Sequence, residues 1–470
     1  MTETNVIIPA AIQTVFDAQT AGVSKRRRNF GLAERKEVLT RLSAVIKANE
    51  AAIVAALTQD FNKPETETIL TEILPVLQEI KHAKRHLRRW MRPTRAAFTL
   101  ATFGTSGRIR PEARGVCLII APWNYPLSLA LGPLVSALAA GNSAILKPSE
   151  MTPATSALIA RLIKEAFPSD LVAVVEGAVP TSEALLALPF DHIFFTGSPA
   201  VGKIVMAAAA KTLASVTLEL GGKSPTIIGP DANLKRAADW IVFGKFSNAG
   251  QTCIAPDHLF VHASIKDEFT SLLRARMIKA YGRDAKSRHF ADIVSPHHAD
   301  RLDGLLKDAT AKGAQVTQGG TRDGKHIAPT LIEAITPEMA LDQEEIFGPI
   351  LPIIAYTDLE DVITQINARP KPLSLYIFAK ERGLIDRVIT ETSSGSVGIN
   401  LTLIQFINNG LPFGGVNASG IGNAHGHYGF RAFSHERAVM TNQISAVPLV
   451  FAPYTPSVKR IIAVAKKLLG

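Results

Sequence analysis

The chain predicts an α/β protein, with a parallel sheet covered by helices on both faces and a second α/β unit after it. Two observations carry this expectation. Short apolar runs at Val116–Ile120, Ala144–Leu146, Leu171–Val175, His192–Phe195 and Val216–Leu218 alternate with helical stretches beginning near Leu127, Ala154, Ser182 and Ala200. Strand–helix–strand alternation of this kind gives parallel pairing. The second observation is length: 470 residues exceed what one ordinary core supports, so two domains with a small appendage are expected.

Taken in order, Val38, Leu42, Val45, Ile46 and Ile53 recur at helical spacing and predict a helix from Leu32 to about Asp60. A second helix runs from about Glu65 to Trp90 and stops before Pro93. The segment Arg95–Arg114 is irregular, with extended-type stretches such as Phe98-Thr-Leu and Arg108-Ile-Arg, and reads as a hairpin leaving the body of the domain. The parallel set follows. Beyond it, strands are expected near Leu259–Val261, Pro352–Ala355, Ser374–Phe378 and Val397–Asn400. No internal repeat or low-complexity linker separates the two units, so they are expected to share a firm interface with the reactive groups in the cleft.

Composition narrows the class. Hydrophobic residues at 47% and charged residues at 20% are globular values, and two cysteines cannot build a disulfide framework, which fits a reducing cytoplasm. No apolar run reaches spanning length. The tail Ser457–Gly470 reads as a short basic amphipathic helix, docked on its own protein or touching a membrane surface. The net charge of +10 concentrates in Lys25-Arg26-Arg27-Arg28 and in Lys81–Trp90. Both stretches lack interleaved stacking aromatics, so they read as solvated helix faces and nucleic acid is not an expected partner. Attraction of an anionic cofactor or substrate is a milder use of the same field.

Cys253 stands in Phe246-Ser-Asn-Ala-Gly-Gln-Thr-Cys253-Ile-Ala-Pro256, and Glu219 in Leu218-Glu219-Leu-Gly-Gly-Lys-Ser-Pro225. A thiol is a soft nucleophile and a carboxylate can take up a proton, although a lone cysteine is more often a small buried hydrophobe. Several unusual residues fall at strand ends, where ligands collect in parallel sheets. Trp123-Asn124 follows the first strand, and an Asn amide is a neutral donor for an oxyanion or simply a turn residue. Lys147-Pro-Ser-Glu150 offers a cation and an acid to a ribose diol, or a turn leading to a helix cap. Gly197, Ser198 and Gly202 form a strand end, turn and helix start suited to phosphate, with Gly-x4-Gly spacing in place of Gly-x-Gly-x-x-Gly. Glu345 lies two residues before Phe347 in an acidic turn, and Asn409–Gly422 is too Gly-rich for regular structure. The twelve histidines have no zinc spacing, so no metal is expected, and no Gly-x-Ser-x-Gly elbow occurs.

Together and in this order, these motifs resemble the aldehyde dehydrogenase superfamily over essentially the whole chain. Gln251-Thr-Cys253-Ile-Ala-Pro-Asp257 and Pro412-Phe-Gly-Gly-Val…Ser419-Gly-Ile-Gly resemble its class 3. His82-Ala-Lys-Arg-His-Leu-Arg-Arg-Trp-Met-Arg-Pro93 and Gly429-Phe-Arg-Ala-Phe-Ser-His435 are similar to bacterial coniferyl aldehyde dehydrogenases. The resemblance implies an aldehyde dehydrogenase-like fold with a Rossmann-type cofactor domain over 1–94 and 115–219, and a catalytic domain over 220–424. It implies an oligomerisation segment from 95–114 with about 425–450, a tail over 451–470, and a homodimer.

It further implies that Cys253 attacks the aldehyde, Asn124 and the Cys253 amide hold the oxyanion, and Glu219 activates water to release the acid. Lys147 and Glu150 would bind the adenosine ribose, Gly197, Ser198 and Gly202 would surround the pyrophosphate, and Trp123 would lie near the cofactor. Glu345 and Phe347 would position the nicotinamide ribose and ring. Glu219 favours a free acid over transfer to coenzyme A. Glu150 biases toward NAD without excluding NADP. Asn417 departs from the glycine common in relatives and bears on the substrate mouth. The expected substrate is an aromatic, cinnamyl-type aldehyde, with a medium- or long-chain aliphatic aldehyde as the alternative and a non-catalytic binding protein on the same fold as a distant one.

Overall fold

Five runs that are apolar without alternation become neighbouring strands because the sheet is covered on both faces. Every residue of Val116–Ile120, Ser143–Lys147 and His192–Thr196 is buried in the computed structural model, which describes residues 7–282 and 289–469. Gly470, the end of the basic tail, lies outside the described residues. Across the six-stranded sheet the order is Gly420–Ile421, Ser215–Glu219, His192–Thr196, Val116–Ile120, Ser143–Lys147 and Val172–Val174. The last five are parallel, and Gly420–Ile421 joins antiparallel from the far end of the chain. Strand order reverses at Val116–Ile120, which makes the crevice at its carboxyl end a topological switch point.

A seven-stranded sheet holds the second α/β unit. Its order is Gln315–Gln318, Thr330–Glu333, Ile350–Tyr356, His258–His262, Pro225–Ile228, Ser374–Phe378 and Ser396–Ile399, all parallel except the first. Three of these strands escape the sequence pattern. Pro225–Ile228 opens with a proline and Gln315–Gln318 is polar, while Thr330–Glu333 is only four residues long. One buried apolar cluster runs from Leu39 and Leu134 through Phe246 to Leu351 and Phe378, so the two sheets share a core.

The expected hairpin forms as Thr94–Arg95 against Thr105–Ala113, and Ser434–Asn442 adds a third antiparallel strand, with Ala113 opposite Ser434. The helix expected over Leu32–Asp60 is broken at Asn49 into Leu32–Ala48 and Glu50–Phe61. Asn49 leaves the helical region (φ −115°, ψ 20°) and its side chain donates to the Val45 carbonyl at 2.9 Å, the local competition that makes Asn a weak helix former. The Glu65–Trp90 helix forms but widens into a π turn at Ile69–Ile73, a deviation concentrated at functional sites. The tail helix, Pro456–Leu469, buries Val458 and leaves Ile461, Ile462, Val464 and Leu468 exposed. Among the described residues, no helix is long and apolar enough to cross a membrane.

Candidate active site

Cys253 is delivered by a backbone no ordinary turn would adopt. After the helix Leu234–Phe246, the residues Asn248, Ala249 and Gly250 have φ of 54°, 52° and 73°. Two consecutive non-glycine residues in the left-handed region cost roughly 1–3 kcal/mol each, so the surroundings must over-determine them. They do. The Asn248 amide nitrogen donates to Glu67 Oε2 at 2.8 Å, and its side chain donates to the Asn124 carbonyl at 2.9 Å. Gln251, fully buried, donates to the Asn248 and Asp292 carbonyls and accepts from the Val294 amide. A Cβ at Gly250 would meet the Gly348 carbonyl oxygen at 2.3 Å, so glycine is required there.

Cys253 keeps partial exposure through a cavity whose walls also include Ser128, Phe194, Thr196, Glu219, Phe406, Phe413 and His425. Burial pushes the thiol up to about 12, with Glu345 and Glu219 adding to the shift and the Cys253 and Ile254 amides opposing it. Glu219 ends its strand with both carboxylate oxygens buried and without a hydrogen-bond partner. Desolvation holds its carboxyl well above the usual carboxylate range. An acid kept this dry is poised to exchange a proton with whatever enters the cavity. Asn124 is buried, and its Nδ2 donates to the Gln251 carbonyl at 3.0 Å. That bond uses one amide hydrogen and ties Asn124 to the loop that carries Cys253.

Beneath these groups lies a network that the motifs did not disclose. Lys63 and Glu72 form an ion pair of 2.8 Å with both side chains fully buried. Glu72, inside the π turn, accepts the Leu127 and Ser128 amides at 3.2 and 2.9 Å, which anchors the loop carrying Asn124. The Lys63 ammonium sits 3.9 Å from the Tyr125 ring centroid, and the Tyr125 hydroxyl pairs with Thr252 Oγ1 at 2.7 Å, one residue from the thiol. Glu67 holds Asn248, as noted, and burial pushes its carboxyl up to about 7. The segment Lys63–Glu72 therefore braces both the Asn124 loop and the Cys253 loop. The only sequence signal is a lysine in the loop before an early helix and two acids on that helix, residues that suit a solvated face.

The residues expected to hold a cofactor line the carboxyl edge of the six-stranded sheet in spatial order. Lys147 ends one strand, Trp123 and Asn124 follow the next, Ser198 follows the third, and Glu219 ends the fourth. Lys147 is buried and donates to Glu150 Oε2 at 2.6 Å, while Glu150 is 40% exposed. A buried donor and a half-exposed acceptor thus stand together at the strand's end, the pair a ribose diol would need. Ser198 caps the helix Pro199–Thr212 by accepting from the Val201 amide at 3.4 Å. Gly202 is explained by packing, since a Cβ there would meet Leu220 Cδ2 at 2.8 Å, and a Cβ at Gly197 would meet the Phe195 ring at 2.5 Å.

Trp123 and Phe347 come together, their rings meeting edge to face at 5.3 Å. A Cβ on Gly221 would strike Glu345 Oε2 at 2.3 Å, which places that carboxylate two residues from Glu219. Burial pushes Glu345 up to about 8 against a hydrogen bond from Gly222. The loop is pinned by Lys223, which donates to Asp257 at 2.5 Å and to the Leu341 and Glu344 carbonyls, while Asp257 accepts the Ile346 amide. Among the described residues, no group of three His, Cys, Asp or Glu side chains is arranged to hold a metal ion.

Residues 8–439 match the aldehyde dehydrogenase family. The chain belongs to that family. The 4,4'-diaponeurosporen-aldehyde dehydrogenase of Staphylococcus aureus is 46% identical, covering 86% of this chain and 88% of that protein. The probable coniferyl aldehyde dehydrogenase of Pseudomonas aeruginosa is 41% identical, covering 91% of each. A solved structure, the substrate-bound state of Staphylococcus aureus AldH, superposes with a TM-score of 0.91 at 43% identity over 96% of this chain and 99% of that one. This aldehyde dehydrogenase is an oxidoreductase with the fold the resemblance implied.

Proposed function

We propose that this enzyme oxidises an aromatic, cinnamyl-type aldehyde to the free carboxylic acid, with NAD as cofactor and NADP accepted. The observation that carries the reading is that Cys253 and Glu219 share one cavity walled by Phe194, Phe406 and Phe413. Solved relatives at 28% identity include an NADP-dependent enzyme of E. coli and an NAD-dependent aldehyde dehydrogenase of Sinorhizobium meliloti. The chain's residues fit such a dinucleotide: Lys147 and Glu150 present donor and acceptor, and the amides after Ser198 open a helix N-terminus. Trp123, Glu345 and Phe347 would flank its nicotinamide end.

Cys253 must lose its proton before it attacks, and the partnerless Glu219 carboxylate in the same cavity is the group placed to receive it. Attack of Sγ on the aldehyde carbon moves an electron pair onto the carbonyl oxygen. The second Asn124 amide hydrogen and the Cys253 amide stabilise that oxyanion, a role worth about 2.7–4 kcal/mol per donor. When bound, the nicotinamide supplies the two-electron hydride acceptor. Collapse of the oxyanion with loss of hydride from carbon leaves a thioester on Cys253. Glu219 releases the Cys253 proton to solvent and then takes one from water as the water attacks the thioester; breaking the carbon–sulfur bond frees the acid, and Glu219 returns its proton to the thiolate.

The aliphatic alternative has its own support, because the cavity walls also include the apolar Leu129, Pro133 and Ala424. Initial rates with coniferaldehyde, benzaldehyde and decanal, each with NAD and NADP, decide between them. A catalytic efficiency on decanal tenfold above that on coniferaldehyde would move the substrate and leave the chemistry. We also propose the division into 1–94 with 115–219, 220–424 and the bridging 95–114 with about 425–450. A cytoplasmic homodimer follows, paired through the exposed edge strand Ser434–Asn442. Sedimentation at micromolar concentration tests it, and a monomer would overturn it.

A further inference from the structure

His425 precedes the short helix Gly426–Ala432 and lines the same cavity as Cys253 and Glu219. Its backbone stands at φ 67°, ψ 142°, close to a region that only glycine enters without strain. A side chain held there against strain is a reason to look for a function. The ring is 15% exposed, and its Nε2 is buried with no hydrogen-bond partner. Nδ1 lies 3.7 Å from Glu79 Oε2, which also has no hydrogen-bond partner, while the other Glu79 oxygen accepts the Gly426 amide at 2.8 Å. Phe406 and Phe413 meet the ring edge-on at 4.6 and 5.6 Å. Glu79 and His425 also border a smaller adjoining void that shares Ser128, Gly132 and Phe406 with the main cavity.

We propose that His425 and Glu79 form a subsite for a hydroxyl group on the substrate aldehyde, remote from its carbonyl. This rests on the reading of the Cys253 cavity as the aldehyde site. The Glu79 Oε2 carboxylate oxygen, 3.7 Å from Nδ1 and without another partner, favours the ring proton on Nδ1 by its charge, which leaves a lone pair on Nε2. The subsite therefore accepts from an O–H and has nothing to offer an ether oxygen. Bulk water does not reach Nε2, so a hydroxyl that displaces the Phe406 edge meets it without competition. An aldehyde lacking the donor leaves a buried polar atom unpaired, which is how a site discriminates steeply. The ligand class is a hydroxy-aldehyde, of which a para-hydroxylated cinnamyl aldehyde is the aromatic member.

The test compares kcat/KM for para-hydroxycinnamaldehyde and para-methoxycinnamaldehyde in wild type, His425→Phe and Glu79→Gln. Wild type is expected to favour the hydroxyl by about tenfold, one net hydrogen bond. His425→Phe brings the ratio to about one. Glu79→Gln keeps an acceptor for the Gly426 amide but donates to Nδ1, which moves the ring proton to Nε2 and shifts the preference toward the ether. A merely structural role would depress both substrates together and leave the ratio fixed. A wild-type ratio near one, or a ratio unchanged in both variants, overturns the subsite. If neither cinnamyl aldehyde turns over, the aromatic reading has failed, and omega-hydroxydecanal against decanal supplies the ratio. A preference lost in His425→Phe then upholds the subsite on an aliphatic chain, and a ratio near one overturns it.

Discussion

Replacing Tyr125 by phenylalanine removes one oxygen from the brace beneath Cys253 and little else. The ring stays, so the Lys63 ammonium keeps the aromatic face that it sees at 3.9 Å. What is lost is the 2.7 Å hydroxyl pair with Thr252, a residue that is itself buried. A neutral hydrogen bond is worth about 0.5–1.5 kcal/mol net, but an orphaned buried hydroxyl costs about 1–3 kcal/mol. Thr252 is joined directly to Cys253, so this loss falls on the loop that must present Sγ and the Cys253 amide together. Converted at about 1.4 kcal/mol per decade, acylation should slow by roughly 5- to 150-fold. Stopped-flow NADH formation in the first turnover reads that step. The KM for NAD should stay within about twofold, because Lys147 and Ser198 lie at other strand ends. Adding Thr252→Val should restore part of the rate, since removing both partners of a buried pair is far milder than removing one. A first-turnover rate in Tyr125→Phe within about twofold of wild type would refute the brace.

Lys63→Met should destabilise the protein by about 3–5 kcal/mol in denaturant unfolding, because Glu72 stays buried with only two amide donors for its charge; an unchanged midpoint would contradict this. Glu150→Gln removes the acid that would repel an added phosphate, and the ratio of kcat/KM for NADP to NAD should rise by about tenfold. Burial raises both the Cys253 thiol and the Glu219 carboxyl, so the reactive ionised forms grow as pH rises. The first-turnover rate should therefore climb between roughly pH 6 and 9, with no fall across that range. An acidic optimum would count against the assignment. The same upward shift at Glu219 costs stability. The unfolded carboxyl ionises near its ordinary value while the folded one resists, so Glu219→Gln should match wild type in acid and gain stability over it as pH rises above the ordinary carboxylate range.

The parallel strands and the motifs at their ends were visible in the sequence because both are local. A doubly covered strand is an uninterrupted apolar run, and a ligand-binding turn collects Gly, Asn, Lys and Glu within a few residues. Cys253, Glu219 and Asn124 stand out as candidates on that ground. The brace does not, because its logic is long-range. Glu72 and the Ser128 amide are 56 residues apart, and Tyr125 and Thr252 are 127 apart. Nothing in an acid on an amphipathic helix announces that a π turn will rotate it inward. The break at Asn49 was missed for the opposite reason, since an apolar pattern continuing through one polar residue conceals a local side-chain bond. Gly202 sits in a turn suited to phosphate, yet its packing against Leu220 alone already accounts for the glycine, so the motif carries less functional information than it suggests.

The most direct test of Cys253 and Glu219 as nucleophile and base is the intact mass of Glu219→Gln after mixing with NAD and coniferaldehyde, followed by peptide mapping. An acyl group should accumulate on Cys253 with about one NADH released per active site and negligible turnover thereafter. Steady turnover at the wild-type rate, or an adduct on any residue other than Cys253, would contradict the mechanism.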